Sequence, residues 1–332
     1  MGARYHHDVK PRLYVLLARS ARVALVLRRG PSKSVAAIAW NRAIDKFTLG
    51  QWLRGRIYEK RSDLSPDGKH LIYFAMNGKW SAKAAGAWTA ISRAPYLRAI
   101  ALFAKGDCWH GGGLFVDNRT YWLNDGYGHK VLTNTTEVTR ADPAPSMPYR
   151  GGECWGVYFN RLVRDGWTPR PDLAPPGTRS EGMMVFERPL PHGWVLRKLA
   201  RAGNPPPGKS VYFDEHELVE PTAGRELPRP SWEWADVDGD RLVSADAGAL
   251  WAGRITARSA KLDDPIDGAK LLHDFSAMTF EAIRAPYDDG ENESDGGAPA
   301  AAKPRTSSKR KPARATARKR TAKKPVRPKS RY

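Results

Sequence analysis

From residue 13 to about residue 287, short runs rich in Val, Ile, Leu, Tyr, Phe and Trp alternate with Gly, Pro, Asn and Asp. No stretch keeps a helical apolar period beyond about three turns, so the pattern predicts an all-β domain. A first group of strands is expected at Tyr14–Leu17, Val23–Leu27, Val35–Trp40 and Phe47–Leu53. A second is expected at Tyr58–Ser62, Leu71–Ala75, Ala87–Ser92 and Leu97–Phe103. Four strands in about forty residues is the size of one propeller blade. Between Tyr58–Ser62 and Leu71–Ala75 lies Ser65-Pro66-Asp67-Gly68. Proline presets φ for a turn, and Asp-Gly supplies residues that tolerate unusual backbone angles.

Later segments repeat the pattern more loosely. Gly113–Leu123 has a polar turn between two apolar runs, and Val157–Val163 followed by Asp165-Gly166-Trp167 reads as another such element. Trp232–Val243 repeats the Asp-Gly hairpin around Asp238-Gly239. Turn positions 67, 117, 165 and 238 are separated by 50, 48 and 73 residues, and the longest gap has room for a further blade. At ~50 residues per blade the expectation is a β-propeller-like domain of about five four-stranded blades.

The run Asp63-Leu64-Ser65-Pro66-Asp67-Gly68-Lys69, followed by Leu71-Ile72-Tyr73-Phe74, resembles the repeat signature of TolB-type, WD-repeat-like β-propellers. The rest of the body is similar to a group of uncharacterised bacterial proteins. The resemblance implies the propeller architecture. TolB-type proteins are exported, whereas the N-terminus here lacks the apolar core and cleavage site of a signal peptide.

Charge divides the chain. Lys303 to Tyr332 holds 14 Lys and Arg and no Asp or Glu, so it carries +14 of the formal +20. All 12 Trp lie before residue 252. The expected organisation is an N-terminal extension at 1–12, the propeller-like domain at 13–287, an acidic Gly- and Ala-rich linker at 288–302, and a basic tail at 303–332. Linker and tail have too little apolar surface to offset the entropy of ordering, so disorder is expected. The tail resembles the Lys/Ala/Pro tails of linker histones. Its Lys309, Arg310, Lys311, Arg314, Arg318, Lys319, Arg320, Lys323 and Lys324 are the candidate nucleic-acid contacts. Tyr332 is its one aromatic residue, so phosphate neutralisation rather than base stacking is the expected mode. An anionic membrane surface, or a purely solubilising role, is the alternative reading of the same charges. The apolar run from Leu13 to Leu27 is cut by Arg19 and Arg22 and is not a membrane span. With two cysteines in 332 residues, a cytoplasmic protein is expected.

Local motifs for chemistry are weak. Gly203-Asn204-Pro205-Pro206-Pro207-Gly208-Lys209-Ser210 fits the phosphate-loop pattern, yet three prolines remove the amide donors such a loop needs. The following Val211-Tyr212-Phe213 is strand-like where a helix is required. Cys108, His110 and Cys154 lack metal-ligand spacing, and Gly-Asp-Cys-Trp and Gly-Glu-Cys-Trp, 46 residues apart, suggest equivalent small core positions in neighbouring blades. Asp236-Val237-Asp238-Gly239-Asp240 has its Gly at the wrong place for a calcium loop and reads as a hairpin. No Gly-x-Ser-x-Gly elbow is present. No cofactor, metal or catalytic residue is expected; Asp63, Asp67, Asp125, Asp214 and Glu215 are the carboxylates that a propeller could gather at its axis. The expectation is a non-enzymatic binding or scaffolding propeller with an unknown protein partner, its tail on nucleic acid. The alternative is an enzyme, such as a hydrolase, with its site on the axis.

Overall fold

The computed structural model describes residues 10–30, 33–126, 128–149, 153–174, 183–206 and 209–288. The described residues, all within the chain up to Asp288, form one compact unit. Residues 1–9 of the extension, the linker from 289 and the whole tail, with Lys309, Arg310, Lys311, Arg314, Arg318, Lys319, Arg320, Lys323 and Lys324, lie outside the described residues.

The domain is all-β and propeller-like, with five sheets of three to five strands. The first sheet is a meander of β1 (Arg12–Leu17), β2 (Val23–Arg29), β3 (Ser34–Asn41) and β4 (Lys46–Arg54). The second joins β5 (Arg56–Leu64), β6 (His70–Met76), β7 (Ala87–Arg93) and β8 (Ala99–Ala104). The third is small, with β9 (Gly113–Phe115), β10 (Thr120–Leu123) and, beyond β11 (Lys130–Thr133), β12 (Thr139–Arg140). Strand β11 returns to the second sheet beside β8, and β12 lies parallel to β10. After helix α1 (Trp155–Arg164), the fourth sheet runs β13 (Thr168–Pro169), β14 (Met183–Pro189), β15 (Val195–Ala202), β16 (Tyr212–Glu220) and β17 (Arg225–Pro228). The fifth is β18 (Trp232–Asp238), β19 (Arg241–Asp246), β20 (Ala249–Arg254) and β21 (Asp267–Asp274). The fourth sheet fills the long interval between turn positions 165 and 238, where room for a further blade is expected.

The Ser65-Pro66-Asp67-Gly68 turn links β5 to β6. Gly68 N–H donates to Ser65 O at 2.8 Å, and its φ of +77° places it in the left-handed region. Space reinforces the requirement, because a Cβ there would lie 2.2 Å from Val23 Cγ2. Below this turn, a large apolar cluster joins the first, second, fourth and fifth sheets around Trp40, Trp167, Trp194 and Phe186. A smaller one around Ile72, Ile91, Phe103, Phe115 and Tyr121 joins the second and third.

The first and last sheets meet through side chains. Leu13 N–H donates to Glu233 Oε2 at 2.9 Å, Arg42 pairs with Asp238 at 2.6 Å, and Arg241 pairs with Asp45 at 2.7 Å. Arg28 is 1 % exposed and donates at 3.1 Å to the carbonyls of both Phe275 and Ser276.

The expected hairpin at Val157–Trp167 is corrected by helix α1. Trp155, Tyr158, Phe159 and Leu162 recur at helical spacing on the side that meets the core. The Asp-Gly pair ends the helix instead of turning a hairpin. Gly166, at φ +92°, donates to Val163 O at 3.1 Å, and Trp167 N–H donates to Leu162 O at 2.9 Å. This is the Schellman arrangement that satisfies the last carbonyls of a helix.

Candidate functional site

Strand β5 carries an unbroken run of buried polar residues, Lys60, Arg61, Ser62 and Asp63. Its register with β6 jumps from Tyr58 opposite Phe74 to Asp63 opposite Ile72, so Glu59, Lys60, Arg61 and Ser62 together face Tyr73 alone. Such a bulge breaks the ladder and re-aims side chains. Ser62 Oγ closes it on Tyr58 O at 2.9 Å, and Arg161 of helix α1 donates to the carbonyls of Glu59 and Ser62. The helix therefore satisfies backbone acceptors that the bulge leaves without ladder partners.

Each bulged charge has its own neighbour. Lys60 Nζ binds Asp214 Oδ1 from β16, and Tyr158 OH donates to Asp214 Oδ2 at 2.6 Å. Burial alone would raise the Asp214 pKa; the Lys60 and Lys198 ammonium charges outweigh it and hold the carboxyl down at about 2. Arg161 also donates to Tyr14 OH. Glu59 faces Arg29 at 3.3 Å. His216, opposite Lys198 in the β15–β16 ladder, is held neutral by burial, which pushes its pKa down to about 3.

Arg61 draws together the three residues weighed as metal ligands. Its guanidinium donates to Cys108 O at 2.7 Å, to His110 O, to Glu153 Oε2 at 2.6 Å and to Cys154 Sγ at 3.3 Å. Of the three, only Cys154 is met at its ligating side-chain atom, Sγ; the contacts to Cys108 and His110 are to backbone carbonyls. The expectation of equivalent core cysteines is also corrected: Cys154 is buried at the N-terminus of α1, whereas Cys108 is exposed in the loop after β8. The two similar tetrapeptides belong to different kinds of element.

The five candidate carboxylates do not converge. Asp214 is buried against Lys60 and Tyr158, and Asp63 pairs with Arg164 at 2.6 Å. Asp67 stays in its turn, Asp125 pairs with His129 and Arg140, and Glu215 pairs with Arg201. Strand β16 begins at Tyr212, directly after the Pro-rich phosphate-loop look-alike, so the strand reading of that segment stands; Pro207 and Gly208 lie outside the described residues.

Two cavities share Tyr14, and Lys60 and Asp214 line the first of them. The first, about 260 Å³, is lined by the beginnings of the inner strands, with Arg12, Glu59, Lys60, Tyr212, Trp232 and Glu233 around it. Burial pushes Glu233 up to about 7, so near neutral pH it exchanges a proton. The second, about 420 Å³, is lined farther along β1 and β18 and by the C-terminal end of α1. Sequence reading missed Lys60, Tyr158, Lys198 and Glu233. The signal for Lys60 was present: Glu59-Lys60-Arg61-Ser62-Asp63 is an unbroken polar run inside a strand flanked by apolar neighbours.

At the end of the second sheet where β5 begins, two loops project side by side. Lys105 and Gly106 N–H both donate to Ala87 O, which holds the loop after β8 against the loop between β6 and β7. Trp80 and Trp109 on these loops are 55 % and 57 % exposed.

Among the described residues no helix is long and apolar enough to cross a membrane. No family model matches the chain, and no curated protein matches it. Three solved structures are similar to it over much of its length. The uncharacterised protein lmo1340 from Listeria monocytogenes EGD-e is 10 % identical over 73 % of this chain, with a TM-score of 0.25; the chain covers 62 % of that protein, less than two thirds of its length. Hydrazine synthase from Kuenenia stuttgartiensis is 10 % identical over 76 % of this chain and 79 % of that one, with a TM-score of 0.25. A mutant of the GH43 protein BlXynB from Bacillus licheniformis is 13 % identical over 76 % of this chain and 51 % of that one, with a TM-score of 0.27. Likenesses of this size carry no argument about the site.

Proposed function

We propose that this chain is a non-enzymatic, propeller-like binding protein held on nucleic acid by its basic C-terminal segment. The observation that carries the reading is the segregation of charge: residues 303–332 hold 14 basic and no acidic residues, while the rest has 41 basic against 35 acidic. A body with that balance has no strong reason to seek a polyanion, and a segment with that balance has little else to do in salt water. The exposed Trp80 and Trp109 support a protein partner at their end of the second sheet. The Ser-Pro-Asp-Gly turn supports placing the repeats with the TolB-type group. Free thiols at Cys108 and Cys154 fit a cytoplasmic setting.

The test is salt dependence. If about half of the basic residues in the segment neutralise phosphates, log affinity for duplex DNA falls against log salt with a slope of roughly −6, at ~0.9 per contact. Affinity should be nearly independent of sequence, because an extended basic segment has no base-edge contacts. Removing residues 303–332 should abolish binding. A truncated body that binds DNA equally well at about 150 mM salt would overturn the reading.

The second reading is an enzyme, and one observation favours it. Glu233, with its proton exchanging near neutrality, shares the first cavity with Glu59 and Tyr212. Turnover of chromogenic ester, phosphate or glycoside substrates that is lost in Glu233→Gln would replace the first reading with this one.

A further inference from the structure

The second cavity has a composition that the Lys60–Asp214–Tyr158 cluster does not explain. Six cations face it, Arg19, Arg42, Arg161, Arg164, Arg188 and Lys198, against three carboxylates, Asp63, Asp165 and Asp236. Three of the six are neutralised by ion pairs. Arg42 binds Asp238 at 2.6 Å, Arg164 binds Asp63 at 2.6 Å and Asp165 at 2.9 Å, and Arg188 binds Asp236 at 2.5 Å. The other three have no carboxylate within ion-pair distance among the described residues. Arg19 donates only to the carbonyls of Phe115 and Val116, and Arg161 only to carbonyls and Tyr14 OH.

Lys198 is the most telling of these. The residue is 1 % exposed, and its ammonium stands 4.2 Å from the centre of the Trp167 ring. Among the described residues its Nζ has no hydrogen-bond acceptor. The carboxylates whose charge it feels are already engaged: Asp214 by Lys60 and Tyr158, Asp236 by Arg188. The ammonium lines the cavity with its three donors unused by any described residue, which leaves them available to a ligand there. Burial pushes its pKa down to about 8. Three donors on one ammonium, beside two guanidinium groups that lack a counter-charge, form a site in need of oxygen ligands of negative charge.

We propose that this cavity binds a small, multiply charged anion, with Lys198 as its central contact and Arg19 and Arg161 beside it. A volume of about 420 Å³ suits a phosphorylated or polycarboxylate metabolite. A cavity of this size suits a small ligand rather than a polymer. All the residues that line it lie between Tyr14 and Gly239.

Thermal unfolding of the full chain tests this with inorganic phosphate, pyrophosphate and citrate, each titrated to about 10 mM against sodium chloride of matched ionic strength. At a roughly hundredfold excess over the dissociation constant, the midpoint should rise by about 4–8 °C. Pyrophosphate and phosphate acting without citrate would assign a phosphoryl ligand; citrate acting alone would assign a polycarboxylate. Lys198→Met should abolish the anion-dependent rise and, by removing the buried charge, should leave the unliganded midpoint unchanged or higher. Arg19→Gln, at the mouth, should weaken binding at least tenfold without loss of the fold. No rise with any of the three anions would overturn the proposal. So would an equal rise in Lys198→Met, because anions acting on the basic C-terminal segment would be untouched by that change. Should Lys198→Met fail to fold, Arg19→Gln decides: weakened binding supports the site, and undiminished binding refutes it and leaves the ammonium a structural role against Trp167.

Discussion

Asp214 accepts from Lys60 and Tyr158 at the centre of the molecule, and its side chain is 2 % exposed. Removing one partner of such a buried pair strands the other. Asp214→Ala should therefore cost about 3–5 kcal/mol in urea unfolding, while the Lys60→Met, Asp214→Leu double replacement should recover most of that loss. A double variant as unstable as the single would mean that shape, not charge, dominates this cluster. Glu233 gives a second prediction. Its folded pKa, about 7, lies above the ordinary 4.5, so the stability it contributes is fully present below about 4.5 and is lost as pH rises through 7. Urea midpoints of the native protein should decline over that window, and Glu233→Gln should flatten this part of the decline. Asp214 was a candidate carboxylate in the sequence, but its partners were not legible there, and Glu233 was not read as a site at all. A lone Asp after Tyr212-Phe213, or a Glu between Trp232 and Trp234, looks like the polar half of a strand. Their roles come from Lys60 and Leu13, which lie more than 150 residues away in sequence.

At the scale of elements, the strands were legible where apolar runs and turn chemistry agreed. All eight strands expected between Tyr14 and Phe103 are present, because each run is bounded by residues that force a reversal. Helix α1 was not read, since Val157, Tyr158, Phe159 and Val163 favour strands and Asp165-Gly166 imitates a hairpin turn. The competing signal, apolar residues at 155, 158, 159 and 162, wins because that face packs against the core. The bulge in β5 left one local trace, the polar run Glu59 to Asp63, but its register against Tyr73 is set by the partner strand. Glycines at two reversals separate backbone strain from lack of room. Gly166 has φ +92° and open space around it, whereas Gly112 has φ +75° and a Cβ would lie 1.9 Å from Arg61 O. Gly166→Ala should cost about 1 kcal/mol, and Gly112→Ala well over about 2 kcal/mol because β9 must also move away from β5. Equal losses in denaturant midpoint would refute the spatial argument.

For the whole molecule, three of the five sheets are contiguous in sequence, which is why runs of neighbouring strands could be read as blades. The exchange of β11 into the second sheet could not, because four residues of Lys130–Thr133 carry no mark of which sheet they join. The meeting of the first and last sheets was equally invisible. Its hydrogen bonds link residues 196 to 248 positions apart, and no strand is shared across it. That seam has a consequence in time. Local sheets can form before distant ends find one another, and closing so long a loop is entropically late. Bonds made after the rate-limiting step slow unfolding without speeding folding. Replacing Arg42 and Arg241 together by Gln should therefore raise the unfolding rate in stopped-flow experiments and leave the refolding rate within about twofold. A matching fall in the refolding rate would place closure of the ring at the start of folding instead. If the seam does close last, the lifetime of the native protein is set by three arginines, Arg28, Arg42 and Arg241, more than by any of the cores they enclose.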